Sequence, residues 1–149
     1  MKKIKNKIYH YIHVFFTDVF IEVWLFFILL LYTLLHWTNS FFHIAGIVIA
    51  LISFYFRMLA RKHLGKSFSL KAEAKKLITH GMYSKIKNPI YFFSLLSFIG
   101  LFISLEKPWM FLALLPFIYM EIVRASKERK VLYEKFGEEY NIYRKKTRF

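Results

Sequence analysis

Glu121, Arg124 and Glu128 stand at i, i+3 and i+7, which places them within an arc of about 60° on one helix face. They occur where a long apolar run gives way to charge. Two carboxylates flanking a guanidinium at a lipid boundary suit a structural ion-pair ladder, and they suit a zwitterionic ligand equally well. An ionisable side chain inside a membrane segment marks a functional candidate, and Glu121 is one.

A second cluster is the run from Leu77 to Tyr91, Leu-Ile-Thr-His-Gly-Met-Tyr-Ser-Lys-Ile-Lys-Asn-Pro-Ile-Tyr. Gly81 permits a turn, Pro89 suits the first turn of a helix, and Asn88 is expected to be extended and to cap that helix through its side chain. On its residues alone this is a capped loop entering a membrane helix or a binding loop.

The elements that position these residues follow from composition and patterning. The chain has 149 residues, 57% hydrophobic and 21% aromatic, with 23 Lys+Arg against 9 Asp+Glu and no cysteine. Disorder is excluded by the aromatics, and a disulfide scaffold or cysteine nucleophile by the cysteine count. Four apolar segments are long enough, or nearly so, to enter a bilayer core about 30 Å thick. They are Val19–Trp37, Phe41–Leu59, Pro89–Leu105 and Pro108 to about Val123. Their presence directs the net charge of +14 toward anionic lipid rather than nucleic acid. Arg57 lies near enough to the end of the second segment to snorkel to the headgroups.

Lys+Arg number four at the N-terminus, none in the first turn, nine from Arg57 at the end of the second segment through Asn88, one in the second turn and nine in the tail. That alternation predicts four spans with both termini cytoplasmic, in the cell's inner membrane. The expected fold is an all-α integral membrane protein, one domain, with a tight C-terminal hairpin turning at Glu106-Lys107 and amphipathic C-terminal helices that break at Gly137. Residues 1–56 read as an N-terminal helical anchor. The basic, aromatic residues 1–18 look interfacial.

The two clusters together resemble a family. Leu77–Tyr91 is similar to the LVTxGxYxxxRHPxY segment of the isoprenylcysteine carboxyl methyltransferases and their bacterial relatives, which also resemble phospholipid N-methyltransferases. Arg124-Ala-Ser-Lys-Glu128 with Leu132, then Phe136-Gly-Glu-Glu-Tyr140-Asn-Ile-Tyr143, is similar to the family's RxxxEExxL and FGEEYxxY ending. Leu64–Ser69 resembles its LGRxFS stretch. The likeness covers residues 57–149.

The resemblance implies an integral membrane enzyme that takes S-adenosylmethionine from the cytoplasm and a lipophilic acceptor from the bilayer. Its cofactor contacts fall on Lys75, Leu77, Ile78, Tyr83, Asn88, Pro89, Tyr91 and Glu128. Its substrate side falls on Arg124, the expected catalytic residue, with Glu121 beside it. In that scheme Glu128 meets the cofactor's ammonium, the helix N-terminus at Pro89 favours its carboxylate, and Tyr83 and Tyr91 offer π-faces. Arg124 would hold an acceptor carboxylate, which is ionised at neutral pH and needs no general base. The expected reaction is carboxyl O-methylation of an isoprenoid-type acid. Methylation of a phospholipid or other amine is the alternative, and a non-catalytic membrane protein on the same scaffold is the rival from another class. The chain departs from the pattern at Lys87-Asn88, where the family has Arg-His, at Arg129, where it has a second Glu, and at Lys75, where it has His.

A doubly wound nucleotide-binding sheet is not expected, since no GxGxxG-like loop or strand–helix alternation is present. The histidines at 10, 13, 36, 43, 63 and 80 make no convincing ligand set, so no metal is expected.

Overall fold

The computed structural model describes residues 20–64 and 77–147. The interfacial segment 1–18, Lys75 and most of the Leu64–Ser69 stretch lie outside them. The regular elements among the described residues are helices, with no strand. α1 (Phe20–Leu35) and α2 (Phe41–Leu64) are joined by a short turn. A loop from Leu77 carries one 3₁₀ turn, Gly81–Ser84, into α3 (Pro89–Ser104). A second 3₁₀ stretch, Pro108–Ala113, leads into α4 (Leu114–Lys146).

Two of these helical runs, α2 and the 39 residues from Pro108 to Lys146, are long and apolar enough to cross a membrane. α1 and α3 are apolar but shorter. At 1.5 Å per residue, the 16 residues of α3 reach roughly 24 Å. The apolar half of the last run ends near Val123, and the rest of α4 carries the charge. Large apolar side chains point outward all round the bundle, among them Trp24, Leu35, Phe41, Trp109 and Tyr119. A protein bathed in water covers such a surface, and lipid does not require it to.

The core is aromatic. Phe26 of α1 stacks on Phe54 of α2 with ring centroids 4.2 Å apart, and Phe98 of α3 lies 4.7 Å from Phe117 of α4. α2 and α3 make the closest crossing, where Gly46 and Ala50 face Gly100 and Ser104. A Cβ on Gly100 would lie 2.6 Å from the Ala50 backbone nitrogen. Lipid offers helices no hydrophobic drive to associate, so small residues that admit close backbone contact provide it instead.

Pro89 opens α3 as expected, but the Asn88 side chain makes no capping bond. Its backbone, at φ −128° and ψ 66°, is not in the fully extended region from which a capping side chain reaches back to the helix. Glu106 adopts φ +53° at the hairpin turn.

α4 breaks at Gly137, with φ +51° and ψ −120°, a conformation glycine adopts freely and other residues do not. The break turns the last helical segment toward the Leu77–Tyr91 loop. A Cβ at Gly137 would meet nothing within 4 Å, so Gly137→Ala carries only the backbone cost. The expected loss is about 1–2 kcal/mol, read as a lower thermal midpoint in detergent. An unchanged midpoint would show that the kink tolerates side chains.

Candidate functional site

The residues singled out from the sequence fall into two adjoining groups. The first surrounds Glu128. Leu77, Tyr140 and Tyr143 form a small buried cluster, with Leu132 and Phe136 packed on it. The Tyr143 hydroxyl donates to the Tyr83 carbonyl at 2.8 Å, which pins the loop to the segment beyond Gly137. Tyr83 is buried. Pro89 is buried, while Ile78, Asn88 and Tyr91 are half-buried along the same loop and the start of α3. The Tyr91 hydroxyl is within hydrogen-bonding reach of the Glu128 carboxylate, and Tyr83, Tyr140 and Tyr143 all lie close enough to feel its charge.

This environment is mainly apolar. Burial raises the Glu128 carboxyl above the ordinary carboxylate range, and the bond from Tyr91 offsets that rise only in part. Burial, with Glu128 and Tyr143 nearby, likewise pushes the Tyr83 phenol up, so it stays a neutral donor. A half-buried carboxylate with tyrosine hydroxyls near it suits a cation that enters beside it.

The second group is an ionic network buried among all four helices. Glu22 of α1 accepts through Oε2 from Arg57 Nη2 of α2 at 3.0 Å and from Ser94 Oγ of α3 at 3.1 Å. Its Oε1 accepts from Arg124 Nη1 of α4, and the same nitrogen reaches Glu121 Oε1 at 3.2 Å. Glu22, Arg57 and Glu121 are 5%, 3% and 6% exposed. Two carboxylates and two guanidiniums leave this set neutral. Arg57 does not snorkel: Glu22 holds its head group inside the bundle, where leaving either charge unpaired would cost several kcal/mol.

The stripe on α4 is therefore divided. Glu121 and Arg124 do form the i, i+3 pair, while Glu128, one turn on, turns to Tyr91 instead of continuing the ladder. Arg124 is the link between the two groups. Glu22 and Ser94, together with Arg57's part in the network, were not singled out as site residues by sequence spacing. Glu22 lies 102 positions from Arg124, and the one available signal was its charge within an apolar run. Tyr140 and Tyr143 were visible as motif residues but carried no assigned role. Among the described residues no cluster of His, Asp or Glu could hold a metal ion.

Comparison with known families matches residues 41–139 to phospholipid methyltransferase, a span that covers the closely packed α2–α3 pair, the loop and α4 through Glu139. No curated protein and no solved structure matches the chain.

Proposed function

The chain belongs to the phospholipid methyltransferase family, and from that premise we propose that it moves a methyl group from S-adenosylmethionine to a lipophilic acceptor with an anionic headgroup. The observation that carries this reading is the placement of Glu128 and Arg124 one turn apart where α4 leaves its apolar half. The carboxylate faces a ring of tyrosines and the guanidinium faces the bundle.

The Glu128 surroundings fit the cofactor's chemistry. A carboxylate whose ionised form is penalised by burial gains most from an ammonium beside it. The faces of Tyr83 and Tyr91 suit a cation or a flat base. In this reading Lys75, Leu77, Ile78, Asn88 and Pro89 complete the binding loop, and the amides at the start of α3 favour a carboxylate. When bound, S-adenosylmethionine supplies a methyl group activated by a sulfonium. The chain's own residues then orient, screen and exclude water: the tyrosines close one side, and Arg124 holds the acceptor's anionic oxygen at the boundary. Positioning of this kind supplies much of the rate. A carboxylate acceptor attacks as it stands, whereas a phospholipid ammonium must first give up a proton to water at the interface so that its nitrogen lone pair can take the methyl group.

Two acceptors satisfy the geometry. The family match favours a phospholipid amine, with Arg124 on the adjacent phosphate. Arg124 at the membrane boundary also suits an isoprenoid-type carboxylate, which needs no base. Purified protein, tritiated S-adenosylmethionine and mixed micelles of either phosphatidylethanolamine or farnesylcysteine distinguish them. A methyl ester releases volatile tritiated methanol in alkali, and an N-methyl group does not. Alkali-stable label in the phospholipid is the expected result. Label in neither acceptor, from protein that also fails to bind S-adenosylmethionine, would overturn the reading.

The same proposal places α1 to α4 as four spans with both ends of the chain on the cytoplasmic face of the inner membrane. The concentration of Lys and Arg in the middle loop and tail supports that orientation and would hold both against anionic lipid.

A further inference from the structure

The family match begins at residue 41, so it leaves α1 outside. By sequence α1 is an anchor, yet it sends a carboxylate into the centre of the bundle. A buried Glu22 needs a partner, and Oε2 already has two in Arg57 and Ser94. The other oxygen, Oε1, is directed at Arg124, on the nitrogen that Glu121 also engages. Arg124 is thus held from two sides through one edge of its guanidinium. Its side chain is 11% exposed, and Glu128 follows one turn later on the same face.

We infer that Glu22 is a positioning residue for the methyl transfer: its carboxylate fixes the Arg124 guanidinium in register with Glu128, so that α1 is part of the site and not only an anchor. This rests on the function proposed above, since Arg124 is given its role there. Removing the charge of Glu22 takes from Arg124 the carboxylate that α1 supplies and leaves its α4 neighbour Glu121 among its remaining partners. An anionic headgroup would still be attracted, but to a guanidinium no longer held in place. Displacement of about 1 Å at such a group costs on the order of a hundredfold in rate.

The test is Glu22→Gln, which keeps the side chain's volume and an acceptor for Ser94, with Glu22→Asp as the conservative comparison. Expected for Glu22→Gln is a kcat lowered on the order of a hundredfold, with S-adenosylmethionine affinity unchanged and the acceptor KM unchanged or lower. Glu22→Asp should recover part of the rate. Glu22→Gln added to Arg124→Gln should cost nothing further, because both act through one contact. A Glu22→Gln protein with a lower thermal midpoint and an unaltered kcat per folded molecule would make Glu22 structural and overturn the inference.

A second readout is independent of turnover. The chain has no cysteine, so Glu22→Cys with Arg124→Cys introduces the one pair able to cross-link within a chain. Joining of the two by a short bifunctional thiol reagent in native membranes supports the α1–α4 contact, and failure to join overturns it. Wild-type protein that binds no S-adenosylmethionine but does cross-link would instead count against the proposed function alone.

Discussion

Glu128→Ala should weaken S-adenosylmethionine binding by one to two orders of magnitude, measured by titration calorimetry on detergent-purified protein. The size follows from the ~1.5–3 kcal/mol carried by a hydrogen bond to a charged group. Burial makes the loss fall toward the upper end, because a partly desolvated carboxylate gains more from a ligand ammonium than an exposed one. Glu128→Gln should lie between wild type and alanine, since it keeps an oxygen for Tyr91 but not the charge. Glu134→Ala, on the exposed side of α4, should bind like wild type. The raised folded-state pKa of Glu128 adds a second expectation. The folded protein holds its proton more tightly than the unfolded chain does, so the associated stability is complete below the ordinary carboxylate range. It is lost as pH climbs through the raised value. Glu128→Gln should flatten that part of the stability profile. Wild-type affinity in Glu128→Ala would remove the carboxylate from the binding site.

Gly100→Leu should prevent assembly of the bundle. Even the first carbon of a side chain there would sit 2.6 Å from the Ala50 nitrogen and 2.8 Å from the Gly46 carbonyl oxygen. Both are backbone atoms, which cannot swing aside as a flexible side chain can. The cost for Gly100→Ala should reach the upper end of the ~1–3 kcal/mol typical of overpacking, and leucine should exceed it. The crossing also determines where α3 begins, so Tyr91 should leave Glu128 and ligand binding should fall with the thermal midpoint. Gly46→Ala tests the same contact from α2, where the added carbon meets the Gly100 carbonyl oxygen at 2.6 Å. Wild-type midpoints in both alanine variants would mean that the helices can separate without loss.

Local signals gave the elements. Pro89, the Glu106-Lys107 turn and Gly137 act through backbone geometry within a few residues, and each marks a boundary in the structure. The loop and the α4 stripe were legible as two clusters because each carries its own pattern. The partners within them were less so: spacing put Glu128 in line with Arg124, whereas the loop supplied Tyr91 as its contact. The buried network was not legible in the same way. Glu22 and Arg57 are 35 positions apart, on different helices, and periodicity says nothing about which faces meet. Arg57 near the end of an apolar run suits snorkelling on length alone, and only the opposing carboxylate explains why it stays inside. Gly46 and Gly100 are small residues whose importance emerges when two backbones are seen to touch.

The neutral quartet has a consequence for how the chain enters the bilayer. Glu22 and Arg57 belong to consecutive helices joined by a short turn, and Glu121 and Arg124 to a single turn of α4. In the proposed four-span arrangement each helical hairpin carries its own opposed charge pair, so neither Glu22 nor Arg124 need enter hydrocarbon as a lone ion. In that arrangement the contact between Glu22 and Arg124 is an ionic bond that bridges the two hairpins, so it forms only when they come together, and the proposed site is completed by that step.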